Sequence, residues 1–88
     1  TRAGNEVDFV VYGEGLFAAI EVKNARTLRP RDFSGLASFG EDYPEAARVL
    51  AYRGSERTVE RGVLCLPVEE LLHALDPLGE APPLLRPR

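Results

Sequence analysis

Methionine is absent from these 88 residues, and cysteine, histidine and lysine occur once each. A single cysteine excludes a disulfide framework and a zinc site built from cysteines. Cys65 lies inside the apolar run Val63-Leu64-Cys65-Leu66 and reads as a buried core thiol, in keeping with a reducing cytoplasm. The lone His73 reads as a surface or capping residue near a helix C-terminus. No apolar run approaches the roughly 20 residues of a membrane-spanning helix, and the first residues lack the pattern of a signal peptide. A cytoplasmic chain without a membrane partner is therefore expected. Excess positive charge is missing too. A net charge of −3 and a pI of about 5.1 argue against a domain that grips nucleic acid through bulk electrostatics alone. They leave room for a local patch that faces phosphate. Strand-like patterning begins within a few residues of Thr1, and with no methionine the chain reads as a piece of a longer protein.

What is present is a pair of strands that carry charge. Glu6-Val7-Asp8-Phe9-Val10-Val11 and Ala18-Ala19-Ile20-Glu21-Val22-Lys23 both alternate apolar and charged residues. Period two means strand, with Val7, Phe9 and Val11 on one face and Glu6 and Asp8 on the other. Charge facing a sheet interior is costly unless it is paired, hydrogen-bonded or bound to metal. Gly13-Glu14-Gly15-Leu16 reads as a tight hairpin with Glu14-Gly15 at its centre. In that register Asp8 lies opposite Glu21, and Glu6 opposite Lys23. Directly opposed residues have Cβ atoms roughly 4.5–5.5 Å apart. Two carboxylates so close repel, and one would be driven neutral. A hard divalent cation removes the conflict, since Mg²⁺ is commonly held by one or two carboxylates plus waters. A slip of one residue would put Asp8 and Glu21 on different faces. Lys23 stands alone among ten arginines. A lysine at this position suggests a need for a compact ammonium, which can shift its pKa as a guanidinium cannot.

The rest of the chain predicts a small mixed sheet with two helices. Strands are expected over about 6–12 and 16–24, then a basic connection Asn24-Ala25-Arg26-Thr27-Leu28-Arg29. Pro30 suits the first turn of a helix, and Asp32 favours that turn through the helix dipole. Phe33, Leu36, Ala37 and Phe39 or Gly40 supply an apolar stripe, and Pro44 ends the helix by Tyr43. The strand over 46–53 follows a helix, so it should lie parallel to the second strand. Thr58-Val59-Glu60 and Val63-Leu64-Cys65-Leu66 are short strands about Arg61-Gly62. A last helix opens at Pro67 and runs to about Leu75, with Val68, Leu71, Leu72 and Leu75 as its core face. Glu41-Asp42 and Glu69-Glu70 read as solvated helix charge, and Tyr52 as a packing residue near the site. The division expected is one domain over 1–76 and a proline-rich tail over 77–88 with Pro77, Pro82, Pro83 and Pro87.

Gly4-Asn5-Glu6-Val7-Asp8-Phe9-Val10, a hairpin, and then Ala19-Ile20-Glu21-Val22-Lys23 resemble the core of the PD-(D/E)XK nuclease superfamily. The run from Glu6 through the helix to Tyr52-Arg53-Gly54 and Leu66-Pro67-Val68 resembles, more narrowly, a domain of unknown function. That domain lies C-terminal to an AAA-type ATPase module in many predicted prokaryotic ATP-binding proteins. The proline of the superfamily's name is replaced by Val7, and the helix that precedes the first strand in the superfamily is missing. The resemblance implies an α/β (α+β) fold, a restriction-endonuclease-like core without its first helix. It implies Asp8 and Glu21 as carboxylate ligands of Mg²⁺ or Mn²⁺, with the backbone carbonyl of Val22 as a third ligand. Glu6 would join through water or pair with Lys23. Lys23 would orient or help deprotonate the attacking water, and Arg26, Arg29 and Arg31 would contact backbone phosphates. Implied partners are an N-terminal ATPase module of the same chain and DNA or RNA. A sheet edge left by the missing helix would invite a homodimer. The function implied is Mg²⁺-dependent phosphodiester hydrolysis. The alternative is a catalytically inactive docking or regulatory module that keeps a remnant of the site.

Overall fold

The computed structural model describes residues 7–75 and 87. Glu6 and the tail expected over 77–88, apart from Pro87, lie outside the described residues. Five strands form one mixed sheet: β1 (Phe9–Gly13), β2 (Leu16–Val22), β3 (Ala47–Tyr52), β4 (Thr58–Glu60) and β5 (Val63–Pro67), in the order β1-β2-β3-β5-β4. β2, β3 and β5 run parallel, while β1 and β4 are antiparallel edges. α1 (Ser34–Asp42) links β2 to β3, and α2 (Val68–Ala74) follows β5. This is the small mixed α/β arrangement the patterning predicts.

The hairpin has the predicted register. Gly13 pairs with Leu16 and Phe9 with Ile20. Gly15 carries a φ of 68°, which glycine adopts without the steric cost a Cβ would bring. The second turn, Arg61-Gly62, has positive φ at both positions, 56° and 75°. That is the type I′ pattern, whose twist matches the flanking strands β4 and β5.

The sheet is covered on two faces, and each helix takes one. Ala18, Ile20, Val49, Ala51, Leu66 and Leu71 form the core beneath α2. Ala19, Leu50, Tyr52 and Cys65 form the other, against Phe33 and Leu36 of the α1 side. Strands buried on both faces read as continuous apolar runs, and Phe17 through Glu21 are all buried. Fully burying an aliphatic side chain is worth about 1.5–3 kcal/mol, so β2, β3 and β5 hold most of the core. Cys65 is buried and free, and burial pushes its thiol pKa up.

Three expectations are corrected here. Val7 does not share a face with Phe9 and Val11. It packs toward α1, whereas Val11 packs toward α2, because the chain bends at Asp8 and β1 starts only at Phe9. The helix predicted from Pro30 begins as a 3₁₀ turn over Pro30–Phe33, and Ala37 on α1 is exposed. Of the leucines on α2, Leu71 alone is buried. Leu72 is 66% exposed and Leu75 40%. Those two line an open apolar groove of about 610 Å³ between α2 and the β1 edge, opposite Phe9 and Val22. The helix meets the sheet along Val68 and Leu71.

Candidate functional site

An open cleft of about 340 Å³ lies where β1 begins and β2 ends, on the α1 side of the sheet. Asp8, Glu21 and Lys23 form one wall. Arg31 and Asp32 of the 3₁₀ turn, with Ser34 and Gly35 of α1, form the other. Glu21 and Lys23 are two residues apart, so the strand period sets them on one face. The hairpin register brings Asp8 across to them.

Glu21 is the one charged residue in the core of the described residues, 7% exposed. Its Oε2 lies 2.9 Å from Lys23 Nζ. Its Oε1 is buried without a hydrogen-bond partner. A buried acceptor left unsatisfied costs about 1–3 kcal/mol, so this oxygen is a strain the fold carries. Asp8 Oδ2 accepts a hydrogen bond of 2.8 Å from the backbone N–H of Val22. The backbone ladder between β1 and β2 stops at Phe9–Ile20. Past that point the Asp8 carboxylate takes the place a strand carbonyl would occupy, which aims the side chain along the end of β2.

Lys23 has its pKa raised above 10.5. The bond to Glu21 is the main cause, opposed by partial burial and reinforced by the charges of Glu21, Asp32 and Asp8. This ammonium is held charged. It suits charge stabilisation at a phosphate.

The residues expected at the site divide. Asp8, Glu21, Lys23 and Arg31 come together. Arg29 is exposed and does not line the cleft. Its backbone N–H donates to Asp32 Oδ2 at 2.8 Å, closing the start of the 3₁₀ turn. Arg26 lines a different cavity with Tyr52, Arg53, Gly54, Ser55 and Glu56. Tyr52 is buried, and its hydroxyl donates to the Glu56 carbonyl at 2.7 Å. Nothing in the residue pattern marks Asp32, Ser34 and Gly35 as lining residues. Asp32 is legible only as a helix-start acid, since its approach to Lys23 depends on where α1 docks. His73 and the pairs Glu41-Asp42 and Glu69-Glu70 are exposed, as expected.

Two carboxylates are a donor set that suits a hard cation, which needs only one or two carboxylates with waters. The unpartnered Glu21 Oε1 is the atom that fits this role. Among the described residues no group of three or more acidic, histidine or cysteine side chains is gathered as a metal cage. A cation here would therefore keep several waters. No helix among the described residues is long and apolar enough to cross a membrane.

A family model described as a domain of unknown function, DUF4143, matches residues 1–71. No curated protein and no solved structure is similar enough to the chain to count as a match.

Proposed function

This chain belongs to the DUF4143 family, and we propose that it acts as a nuclease-like domain, hydrolysing phosphodiester bonds of DNA or RNA at the Asp8–Glu21–Lys23 cleft with Mg²⁺ or Mn²⁺. The observation that carries this reading is Glu21 Oε1, buried and unpartnered beside a second carboxylate and an ammonium. The order Asp8, Glu21, Lys23 in space supports the likeness to the PD-(D/E)XK core. Asp8 and Glu21 would hold the cation, with the Val22 carbonyl as a further ligand and Glu6 acting through water. When bound, the ion would supply an activated water and polarise a phosphoryl oxygen. Lys23, held charged by Glu21, would balance charge on the phosphate. Arg31 on the opposite wall would hold the substrate backbone. The unit would span 1–76, with a tail over 77–88, and work beside an ATPase module of the same cytoplasmic chain. The β1 edge would offer a homodimer contact.

Titration of the chain with Mn²⁺ tests this. Binding should be seen, and both Asp8→Asn and Glu21→Gln should remove it. A wild-type chain that binds no Mn²⁺ sinks the reading. One observation favours a second reading, in which the domain is an inactive docking module. Lys23 already neutralises Glu21 at 2.9 Å, so the site is partly satisfied without a ligand. Metal-dependent cleavage of a short duplex, lost in Lys23→Ala, rules the second reading out.

A further inference from the structure

We infer that the cavity lined by Arg26, Tyr52, Arg53, Gly54, Ser55 and Glu56 is a second phosphate site, which takes a backbone phosphodiester of the same nucleic-acid strand a few nucleotides from the Asp8–Glu21–Lys23 cleft. The inference rests on the nuclease-like reading for the strand's identity, and on separate residues for the binding.

The geometry comes from the ends of two parallel strands. Past the β2–β3 ladder, the backbone N–H of Lys23 donates to the Ala51 carbonyl at 2.9 Å, and that of Arg53 donates to the Ala25 carbonyl at 2.9 Å. These bonds hold the segment 23–26 against the end of β3. Arg53 Nη1 donates to Asn24 Oδ1 at 3.1 Å, a neutral acceptor. Neither Arg26 nor Arg53 forms an ion pair with a carboxylate among the described residues, where the ion pairs are Lys23–Glu21 and Arg57–Glu70. Two guanidiniums that share a cavity without a paired carboxylate are suited to an oxyanion, which arginine binds through its planar fork. Ser55 adds a hydroxyl. Glu56 sets one negative charge against two positive ones, leaving the cavity with a net positive charge.

The loop behind the cavity is fixed. The Tyr52 hydroxyl holds the Glu56 carbonyl at 2.7 Å. A Cβ on Gly54 would lie 2.1 Å from Tyr52 Cε2, so the loop lies directly on the ring. A rigid loop loses little entropy when it binds. The cavity volume of about 310 Å³ admits a phosphate with part of its sugar. Both the cleft and this cavity open at the carboxyl ends of parallel strands, where ligands bind in open α/β sheets. Arg26 follows Lys23 by three residues, which span at most about 10 Å. Measured along the axis of a duplex, that is about three base-pair steps, at 3.4 Å each. The cleft and the cavity could therefore engage one strand at two points.

The test is fluorescence anisotropy of the full chain with labelled single-stranded and duplex oligonucleotides, in EDTA, over a range of salt. The wild type should bind. The double variant Arg26→Ala/Arg53→Ala should bind at least 10-fold more weakly, and its log K against log salt slope should fall by about 1, because one phosphate is no longer neutralised. Arg53→Lys, which keeps the charge and the reach to Asn24, should recover part of that affinity. Equal binding by the wild type and the double variant overturns the inference. So does wild-type binding weaker than about 10⁻⁴ M, the weak end of non-specific nucleic-acid affinity. Binding of inorganic phosphate without binding of either oligonucleotide also overturns it, by assigning the cavity to a small anion. Failure of the nuclease-like reading is seen separately, as a wild-type chain that takes up no Mn²⁺ while its arginine-dependent anisotropy persists.

Discussion

Replacing Glu21 by methionine should stabilise the metal-free chain. Glu21 is buried, and its Oε1 has no partner. An unsatisfied buried acceptor costs about 1–3 kcal/mol. Against that stands the ion pair to Lys23, whose side chain is 34% exposed. Solvent screening at such exposure limits the pair to about 0.2–1 kcal/mol. Methionine is unbranched and fills irregular space. Removing one partner of an ion pair costs most where the other charge stays buried, and the Lys23 side chain is 34% exposed and reaches water. The expected net gain is about 1–2 kcal/mol. For a domain of this size each 1 kcal/mol moves Tm by about 4–8 °C. The assay is thermal and urea unfolding by circular dichroism, in EDTA and then in Mn²⁺. In EDTA the order should be Glu21→Met above wild type. Mn²⁺ at 100 times its Kd adds about 2.7 kcal/mol to a protein that binds it only when folded, so the order should reverse. A Glu21→Met chain that is less stable than the wild type in EDTA refutes the reasoning, because it would mean that the carboxylate is already satisfied where it sits.

Asp8→Asn should keep the acceptor for the Val22 N–H and cost little stability, whereas Asp8→Ala should cost about 1 kcal/mol in urea unfolding. Both should remove Mn²⁺ uptake in calorimetry. The Lys23–Glu21 pair raises the lysine pKa above 10.5, so its contribution is fully present below the unfolded value near 10.5. It is lost as pH rises through the folded value. The stability difference between wild type and Lys23→Ala should therefore be flat from pH 6 to about 10 and shrink above it. A difference that shrinks near neutral pH would contradict the direction of that shift. Gly54→Ala should destabilise by about 1–3 kcal/mol in urea unfolding, through overpacking against the Tyr52 ring.

Some of this protein is legible in its sequence because the physics there is local. The hairpin register follows from the two-residue turn at Glu14-Gly15, and it alone brings Asp8 to Glu21. The parallel pairing of β2 and β3 follows from the helix between them, which is too long for a hairpin. Strand and helix types follow from side-chain period, and the Arg61-Gly62 turn from the need for positive φ. The alternation around Asp8, in contrast, misplaces Val7, because a period describes a strand only while its ladder lasts.

The tertiary structure alone decided what surrounds the two carboxylates. Arg31 and Asp32 enter the cleft, and Arg29 stays out, because α1 docks on Phe33 and Leu36 against the sheet. Arg26 leaves the cleft for the cavity of Arg53, which lies far along the chain. Leu72 and Leu75 stay exposed because α2 rests on the sheet through Leu71. The chain by itself fixed which residues carry charge in a strand, and the backbone period fixed which face they take. Which buried polar atoms are left without a partner is a sum over groups distant in sequence, and only the packed molecule sets it, at Glu21 Oε1 and Arg48 Nε.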